Sequence, residues 1–274
     1  MPVIDESIFY QGEEILKKPF QTRRLVVSLF LRGLFIFAFL LCFYFPARAS
    51  SSGDEILRKS DALYPEQARF VMSIDDYEDG ERKRSYLFDC YVKGDDRYLI
   101  IAVEPAVMRG MVQLRRGEII YNYLKKIDRM TQVSAQMAFE HSVLSQEDVM
   151  NKKLNNFYQL EGCEEIKEGD KRVNVLSLKA KSLKMAYYQI RTYIEDETFY
   201  TVKTEYYSFA GEKVKELKTD EIKEDNGRLT FYKFTIMDVF IPGRYTQVTM
   251  DNFVHNVEIP DTYFTRSYMR ALAQ

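Results

Sequence analysis

The sequence has few of the residues that usually carry enzyme chemistry: among its 274 residues it contains no tryptophan, two histidines and three cysteines. His141 and His255 are the only ordinary imidazole acid–base groups, and neither belongs to a G-x-S-x-G or H-E-x-x-H motif. The 39 basic and 41 acidic side chains nearly balance, so no positive excess predicts nucleic-acid binding. These absences predict no catalytic residue, no metal site and no cofactor.

The longest apolar run lies near the N-terminus and has the pattern of an export signal. Basic residues precede the run at 33–45, and Ala47-Arg48-Ala49 follows it as an A-x-A cleavage site. We expect residues 1–49 to be a signal peptide cleaved after Ala49, and residues 50–274 to form one exported, periplasmic or envelope-associated domain. A membrane anchor over 25–45 is one alternative, because about 20 apolar residues span a bilayer. A lipid anchor at Cys42 is another.

Two cysteines, Cys90 and Cys163, remain after that cleavage, in a compartment where disulfides persist. Each lies in a strand-like context. A bridge requires a Cα separation below roughly 7 Å, which the sequence does not supply. The sequence therefore allows two alternatives, in which Cys90 and Cys163 are either two separate buried thiols or one disulfide.

Short strands separated by tight turns dominate residues 68–253, and alternating apolar side chains within them indicate strands with one buried face. Glu168-Gly169-Asp170 and Asp225-Asn226-Gly227 are among the turn signals. So many consecutive strands favour a strongly curved antiparallel sheet or a barrel over a flat sheet. The predicted strands are 68–76, 83–93, 97–103, 111–114, 118–124, 130–133, 157–164, 172–178, 189–196, 198–209, 214–223, 229–239 and 245–253.

Helices are predicted at both ends of this run and once within it. A short helix is expected over 53–64, and a terminal one through Leu272 with Asp261 as its cap. Ser145-Gln146-Glu147-Asp148 is a capping motif, so a further helix begins near Ser145. Apolar residues before it give residues 134–154 one oily side, which either plugs the sheet permanently or forms a movable lid.

The segment Met137 to Val149, with Arg129-Met130 before it and the ending Asn256 to Phe264, resembles the LolA/LolB-like superfamily of outer-membrane lipoprotein-sorting proteins. Many relatives carry an "MGSDFSYEDL"-like segment there. This chain keeps Met137, Ser145 and the Glu147-Asp148 pair, but has Ala-Phe-Glu-His at 138–141 where that pattern has small and acidic residues. The resemblance implies a mainly β fold with a few helices, in which a curved antiparallel sheet forms an incomplete β-barrel with a helical lid or plug.

The same resemblance implies a periplasmic carrier that binds the acyl chains of lipoproteins or phospholipids in an apolar cavity and acts in outer-membrane lipoprotein sorting. Such a carrier would be a monomer, would have inner- and outer-membrane sorting machinery as further partners, and would bind no nucleic acid. Apolar and aromatic residues of the first strands and of the amphipathic segment are the predicted cavity residues. They are Phe70, Met72, Tyr86, Phe88, Leu99, Ile101, Ile119, Tyr121, Met137, Phe139 and Leu144.

Two other classes of function compete with the carrier. A lipid esterase would use His141 or His255 to activate a nearby hydroxyl, for which the candidates are Ser134, Ser142 and Ser145. A ligand-free envelope interaction protein would use the same sheet without a cavity. The acidic stretch 75–79 supplies oxygen ligands for Ca²⁺ but lacks the EF-hand spacing, so a solvated turn is the simpler interpretation.

Overall fold

The computed structural model of the protein describes residues 52–149 and 153–272. These described residues belong to one compact unit. The signal peptide, the membrane anchor and the lipid anchor predicted for the N-terminal region all lie outside the described residues. They stay predictions.

Thirteen strands lie within the described residues and form a single antiparallel sheet, as the sequence predicts. Each predicted strand has its counterpart, with ends that differ by a few residues. In chain order β1 to β13 are Gln67–Glu78, Glu81–Lys93, Arg97–Glu104, Met111–Arg116, Ile119–Leu124, Arg129–Val133, Tyr158–Glu168, Lys171–Ala180, Gln189–Glu195, Thr201–Tyr207, Lys213–Asp225, Arg228–Asp238 and Arg244–His255.

The strand order is β6-β5-β4-β3-β2-β1-β13-β12-β11-β10-β9-β8-β7. Two meanders, β1 to β6 and β7 to β13, are therefore joined at the centre by the pairing of the first strand with the last. Two hairpins have the two-residue loops Asp79-Gly80 and Asn226-Gly227, in which both residues have positive φ. This conformation matches the twist of the flanking strands, which is why Asp-Gly and Asn-Gly are preferred there.

The sheet curls so far that strands distant in this order meet across it. The Arg115 guanidinium of β4 lies 4.8 Å above the ring of Phe157, next to β7. Lys184, between β8 and β9, forms a 3.3 Å ion pair with Glu118 between β4 and β5. Within the described residues β6 and β7 do not pair with each other, so the barrel is open. The predicted incomplete β-barrel is confirmed.

Four α-helices occur in the described part of the chain. They are α1 Gly53–Ala62, α2 Gln146–Val149, α3 Leu154–Phe157 and α4 Arg266–Leu272. Ser52 caps α1 by accepting a hydrogen bond from the Glu55 N–H. The prediction that Asp261 caps the terminal helix is wrong: the Tyr268 N–H of α4 bonds to the Thr265 hydroxyl, while the Asp261 carboxylate pairs with Lys93 and Arg97.

The sheet has two covered faces. On its inner face, residues of β1 to β5 and β11 to β13 pack with the connection between β6 and β7, and α1 packs on β7 to β9. The outer face of β3 to β5 is covered by the C-terminal segment, in which Phe264 and Met269 are buried against Leu99 and Leu114. The inner face therefore holds the space available to a ligand.

Candidate functional site: an inner cavity below the strap

Residues 134–149, here called the strap, cross the inner face of the sheet. They must do so because they leave β6 and lead to β7, the two opposite edges of the sheet. Most of the strap is turns, with a helix only from Gln146, directly after Ser145, the first residue of the capping motif. The Asp148 N–H bonds to Ser145 Oγ, and the Ser145 N–H bonds to Asp148 Oδ2. Phe139, Val143 and Leu144 are buried in the inner core.

Hydrogen bonds hold the strap on β2 and β13, the two strands that flank β1 at the centre of the sheet. The Tyr86 hydroxyl of β2 donates to the Glu140 carbonyl at 3.0 Å, and the Arg244 guanidinium of β13 donates to the His141 carbonyl at 2.9 Å. The Thr246 hydroxyl of β13 accepts from the Val143 N–H at 3.0 Å. The predicted oily side thus lies in the core, and the strap covers this part of the inner face.

A cavity that opens to solvent lies between α1, the end of the strap and the second meander, and the empty space within its lining, open solvent included, is about 800 Å³. Apolar side chains, tyrosines and a few polar groups share the lining. The lining residues are Ser60, Asp61, Tyr64, Glu147, Asp148, Leu154, Tyr158, Ile190, Thr201, Thr204, Tyr206, Leu217, Tyr232, Phe234 and Met250.

A smaller pocket of about 260 Å³ continues the cavity along the sheet. The two spaces share Tyr64 and Tyr232, whose rings meet edge to face with centroids 6.1 Å apart. Beyond this pair the smaller pocket is bounded by Leu63, Ile222 and Leu229. The smaller pocket is therefore largely apolar on the side away from the cavity.

Acidic side chains of α2 form one wall of the cavity. Glu147 accepts hydrogen bonds from the Tyr158 hydroxyl at 2.9 Å and from the Ala186 N–H at 2.6 Å. Asp148 accepts from the Tyr187 hydroxyl at 2.6 Å and lies 3.5 Å from the Lys215 ammonium. Burial raises the pKa of Tyr158 and Tyr187, so both hydroxyls stay protonated and act as donors.

Asp61, at the end of α1, forms the opposite wall. Its side chain is buried, and its two carboxylate oxygens accept the N–H groups of Leu154 and Asn155 at 3.0 and 2.9 Å. These N–H groups start α3. Burial raises the pKa of Asp61 to about 6 from 3.8, and the two backbone hydrogen bonds oppose that rise only in part.

This raised pKa predicts a pH-dependent effect of the substitution Asp61→Asn. The folded protein holds the Asp61 proton more tightly than the unfolded chain does. Protonation of Asp61 therefore adds to the free energy of unfolding at low pH, and this contribution is lost as the pH rises through 6. Relative to wild type, Asp61→Asn should therefore be about 1 kcal/mol more stable at pH 7 than at pH 5. Urea unfolding of both proteins at both pH values measures this difference. A constant difference, or one of opposite sign, contradicts it.

The eleven residues predicted to line a cavity fall into three groups. Six belong to the inner core: Phe70, Met72, Tyr86, Phe88, Phe139 and Leu144. Three lie on the outer face with the C-terminal segment: Leu99, Ile101 and Tyr121. The last two, Ile119 and Met137, are exposed. None of the eleven lines the cavity as the described residues bound it, and their role in lipid binding stays a prediction.

Most of the lining comes from parts of the chain that the sequence did not single out. Tyr206, Leu217, Tyr232, Phe234 and Met250 project from β10 to β13. The signal that would have found some of them is the alternation of large apolar side chains along β12 and β13, where every second residue is buried. No sequence pattern marks Asp61, since a carboxylate at the end of a helix is ordinarily exposed.

The residues of the esterase alternative have other partners. His255 Nε2 lies 2.6 Å from the Leu229 carbonyl, and His141 presents its carbonyl to Arg244. The Ser142 hydroxyl donates to the Phe139 carbonyl, and that of Ser145 donates to Asp148. Among the described residues no hydrogen bond joins these serines to a histidine.

The structure also shows the positions of the two cysteines and of the acidic stretch 75–79. Cys90 is buried and Cys163 is exposed, both as free thiols, so the prediction of two buried thiols is wrong for Cys163. Asp75 lies 3.5 Å from the Arg82 guanidinium. In residues 52–149 and 153–272 no group of three or more metal-ligating side chains is placed to hold a metal ion.

A family model described as "Uncharacterized protein" matches residues 94–271, from the start of the β2–β3 turn to α4. The chain belongs to that family. A search of curated proteins found no match.

Several solved structures have the same fold as this protein. A LolA superfamily protein from Nitrosomonas europaea superposes with a TM-score of 0.73 at 18% identity, covering 80% of this chain and 100% of the other. An outer membrane lipoprotein-sorting protein domain from Vibrio parahaemolyticus gives 0.70 at 16% identity, with 79% and 97% covered. A DUF1329 family protein from Desulfovibrio piger gives 0.68 at 20% identity, with 80% and 98% covered. The resemblance to LolA is confirmed for the fold.

The four α-helices described above are short. In the part of the chain that the structure describes, none is both long and apolar enough to cross a bilayer.

Proposed function

We propose that the protein is an exported periplasmic carrier that binds the acyl chains of lipoproteins or phospholipids in the inner cavity and acts in outer-membrane lipoprotein sorting. The observation that carries the proposal is the cavity between the sheet, α1 and the strap, whose lining combines apolar side chains with tyrosines. Structures with the same fold include a domain described as an outer membrane lipoprotein-sorting protein. Export by the N-terminal signal and action as a monomer belong to the same proposal.

The lining suits a hydrocarbon chain for a simple physical reason. Each methylene transferred from water to an apolar surface contributes roughly 0.8 kcal/mol, so a chain gains affinity from every contact with Leu154, Ile190, Leu217, Phe234 and Met250. The tyrosines add large apolar rings whose hydroxyls find polar partners at the edge of the cavity. Binding of this kind needs shelter from water and no catalytic group.

The substitution Leu217→Trp tests the proposal directly. Leu217 faces the cavity from β11, so a larger side chain there displaces part of any bound chain. Loss of two methylene contacts lowers affinity by more than about tenfold. Mass spectrometry of the purified protein should find phospholipid or acylated peptide in wild type and about tenfold less in the variant. Because the chain contains no tryptophan, brominated stearic acid should also quench the fluorescence of the new side chain.

Lys218→Trp is the matched control, since Lys218 is the next residue of β11 and is exposed on the other face. It should carry as much lipid as wild type, and its fluorescence should not be quenched. Circular dichroism establishes that both variants fold. Wild-type protein that binds neither natural lipid nor added fatty acid would favour the ligand-free interaction protein, and released fatty acid would favour the esterase.

A further inference from the structure

Asp61 occupies a special position, because its carboxyl group borders two separate spaces. On one side it lines the inner cavity. On the other side it lines an open pocket of about 440 Å³ together with Arg58, Asp95, Lys153, Asn155 and Asn156. A bound amphiphile with its tail in the cavity would pass its polar end by Asp61 on the way to solvent.

The charges of the cavity lining have one sign. Three carboxylates, Asp61, Glu147 and Asp148, belong to the lining, and in the described residues no lysine, arginine or histidine does. Asp148 is balanced by Lys215 at 3.5 Å. The lining as a whole therefore opposes an anionic group and favours a cationic one.

Among the described residues, no ion pair includes the Asp61 carboxylate, and its hydrogen bonds come from two backbone N–H groups. The charge of Lys153, which lines the same outer pocket, lowers the pKa of Asp61. Its ammonium, however, forms its ion pairs with Asp95 at 2.7 Å and with Glu66 at 3.6 Å. Each oxygen of an ionised carboxylate accepts more than one hydrogen bond, so Asp61 keeps free acceptor capacity beside the cavity. A buried carboxylate is normally paired, and a ligand is the partner this geometry leaves room for.

We propose that the cavity selects acyl amphiphiles whose polar end carries an amine, and that Asp61 receives this amine. The inference rests on the proposed carrier function and names the class of its cargo: aminolipids such as phosphatidylethanolamine bind in preference to fatty acids and anionic lipids. Asp61 forms a charge-assisted hydrogen bond to the ammonium, with the tail between Leu217, Phe234 and Met250. The outer pocket contains the Arg58 side chain, which suits the phosphate of a zwitterionic head group.

Competition among three single-chain probes with equal tails tests this selection. Dodecylamine, dodecanol and dodecanoic acid are titrated at pH 7 into the purified protein loaded with a fluorescent lipid dye. A hydrogen bond to a charged group changes affinity by about tenfold or more. We expect dodecylamine to bind about tenfold more tightly than dodecanol, and dodecanoic acid more weakly than dodecanol. Lipid that co-purifies with the protein from its natural source should be enriched in phosphatidylethanolamine over phosphatidylglycerol.

Asp61→Asn keeps the shape of the side chain and removes its charge. In this variant dodecylamine and dodecanol should bind within about threefold of each other. Asp54→Asn, on the exposed side of the same helix, is the control and should keep the preference of wild type. If wild type binds dodecylamine and dodecanoic acid with equal affinity, the proposal is wrong, and no variant is needed to show it. The proposal is also wrong if Asp61→Asn still binds dodecylamine more tightly than dodecanol. If dodecanol binds without an amine preference, the carrier function stands and the selection fails; if no probe binds, both fail.

Discussion

Phe139→Ala is expected to lower the free energy of unfolding by about 3–5 kcal/mol, the usual cost of deleting a fully buried aromatic ring. Phe139 is 0% exposed and meets the ring of Phe88 edge to face at a centroid distance of 5.5 Å. Neighbouring Val143 and Leu144 keep the strap in place, so the space left by the ring is not refilled easily. Equilibrium unfolding in urea, followed by circular dichroism, measures the loss.

The same variant separates a plug from a movable lid. If the strap is an integral part of the core, the loss appears in global unfolding. If the strap opens independently, global stability stays close to that of wild type, and faster amide hydrogen exchange is confined to residues 134–149. We expect the first outcome. Met137→Ala in the same segment is the control, because Met137 is 52% exposed and should change stability by no more than about 0.5 kcal/mol.

The strands of this protein were predictable because the information for them is local. Asp79-Gly80 and Asn226-Gly227 end strands and start new ones at positions that need positive φ. A succession of such hairpins leaves little freedom beyond antiparallel neighbours. The pairing of β1 with β13 is different, since its partners, such as Met72 and Met250, are far apart in the chain. The resemblance to LolA indicated the curved sheet, whereas no local pattern indicated this register.

The inner and outer faces were predicted less well, for a reason visible in β3. Residues 99–103 are all apolar, so alternation cannot tell which side faces inward. Ile100 belongs to the inner core, whereas Leu99 lies under the C-terminal helix. In addition, the register between β2 and β3 shifts between Leu87 and Phe88, and such a shift moves the following side chains to different neighbours.

The cavity depends on the tertiary path of two segments. Its lining brings Asp61 and Tyr64 from the N-terminal helix region together with Glu147 from the strap and Tyr232 from β12. This meeting follows from the strap crossing between opposite edges of the sheet. The sequence identified the strap as amphipathic, but its direction across the sheet depends on which strands become edges, and that is decided by the β1–β13 pairing.

Thr246→Val is the second substitution with a large expected effect, although it replaces one side chain by another of nearly the same shape. The Thr246 hydroxyl is fully buried, donates to Asp76 Oδ1 at 2.6 Å and accepts from the Val143 N–H. Asp76 Oδ2 has no hydrogen-bond partner among the residues that the structure describes. Valine removes the remaining side-chain donor of this carboxylate and also leaves the strap N–H unpaired. We expect a loss of about 2–5 kcal/mol at pH 7 in urea unfolding.

The pH dependence of this loss identifies its cause. Burial already raises the pKa of Asp76, while the bond from Thr246 lowers it. Without that bond the pKa of Asp76 in the folded state rises further, so a lower pH stabilises the folded variant more than it stabilises folded wild type. The loss of unfolding free energy should therefore shrink as the pH falls from 7 to 5.

Thr246→Ser keeps the hydroxyl and should cost about 1 kcal/mol, close to one buried methylene. Thr249→Val, on the other face of β13, should have little effect. A loss in Thr246→Val that is independent of pH, or one matched by Thr246→Ser, would show that packing, and not the hydrogen bond to Asp76, holds the strap on the centre of the sheet.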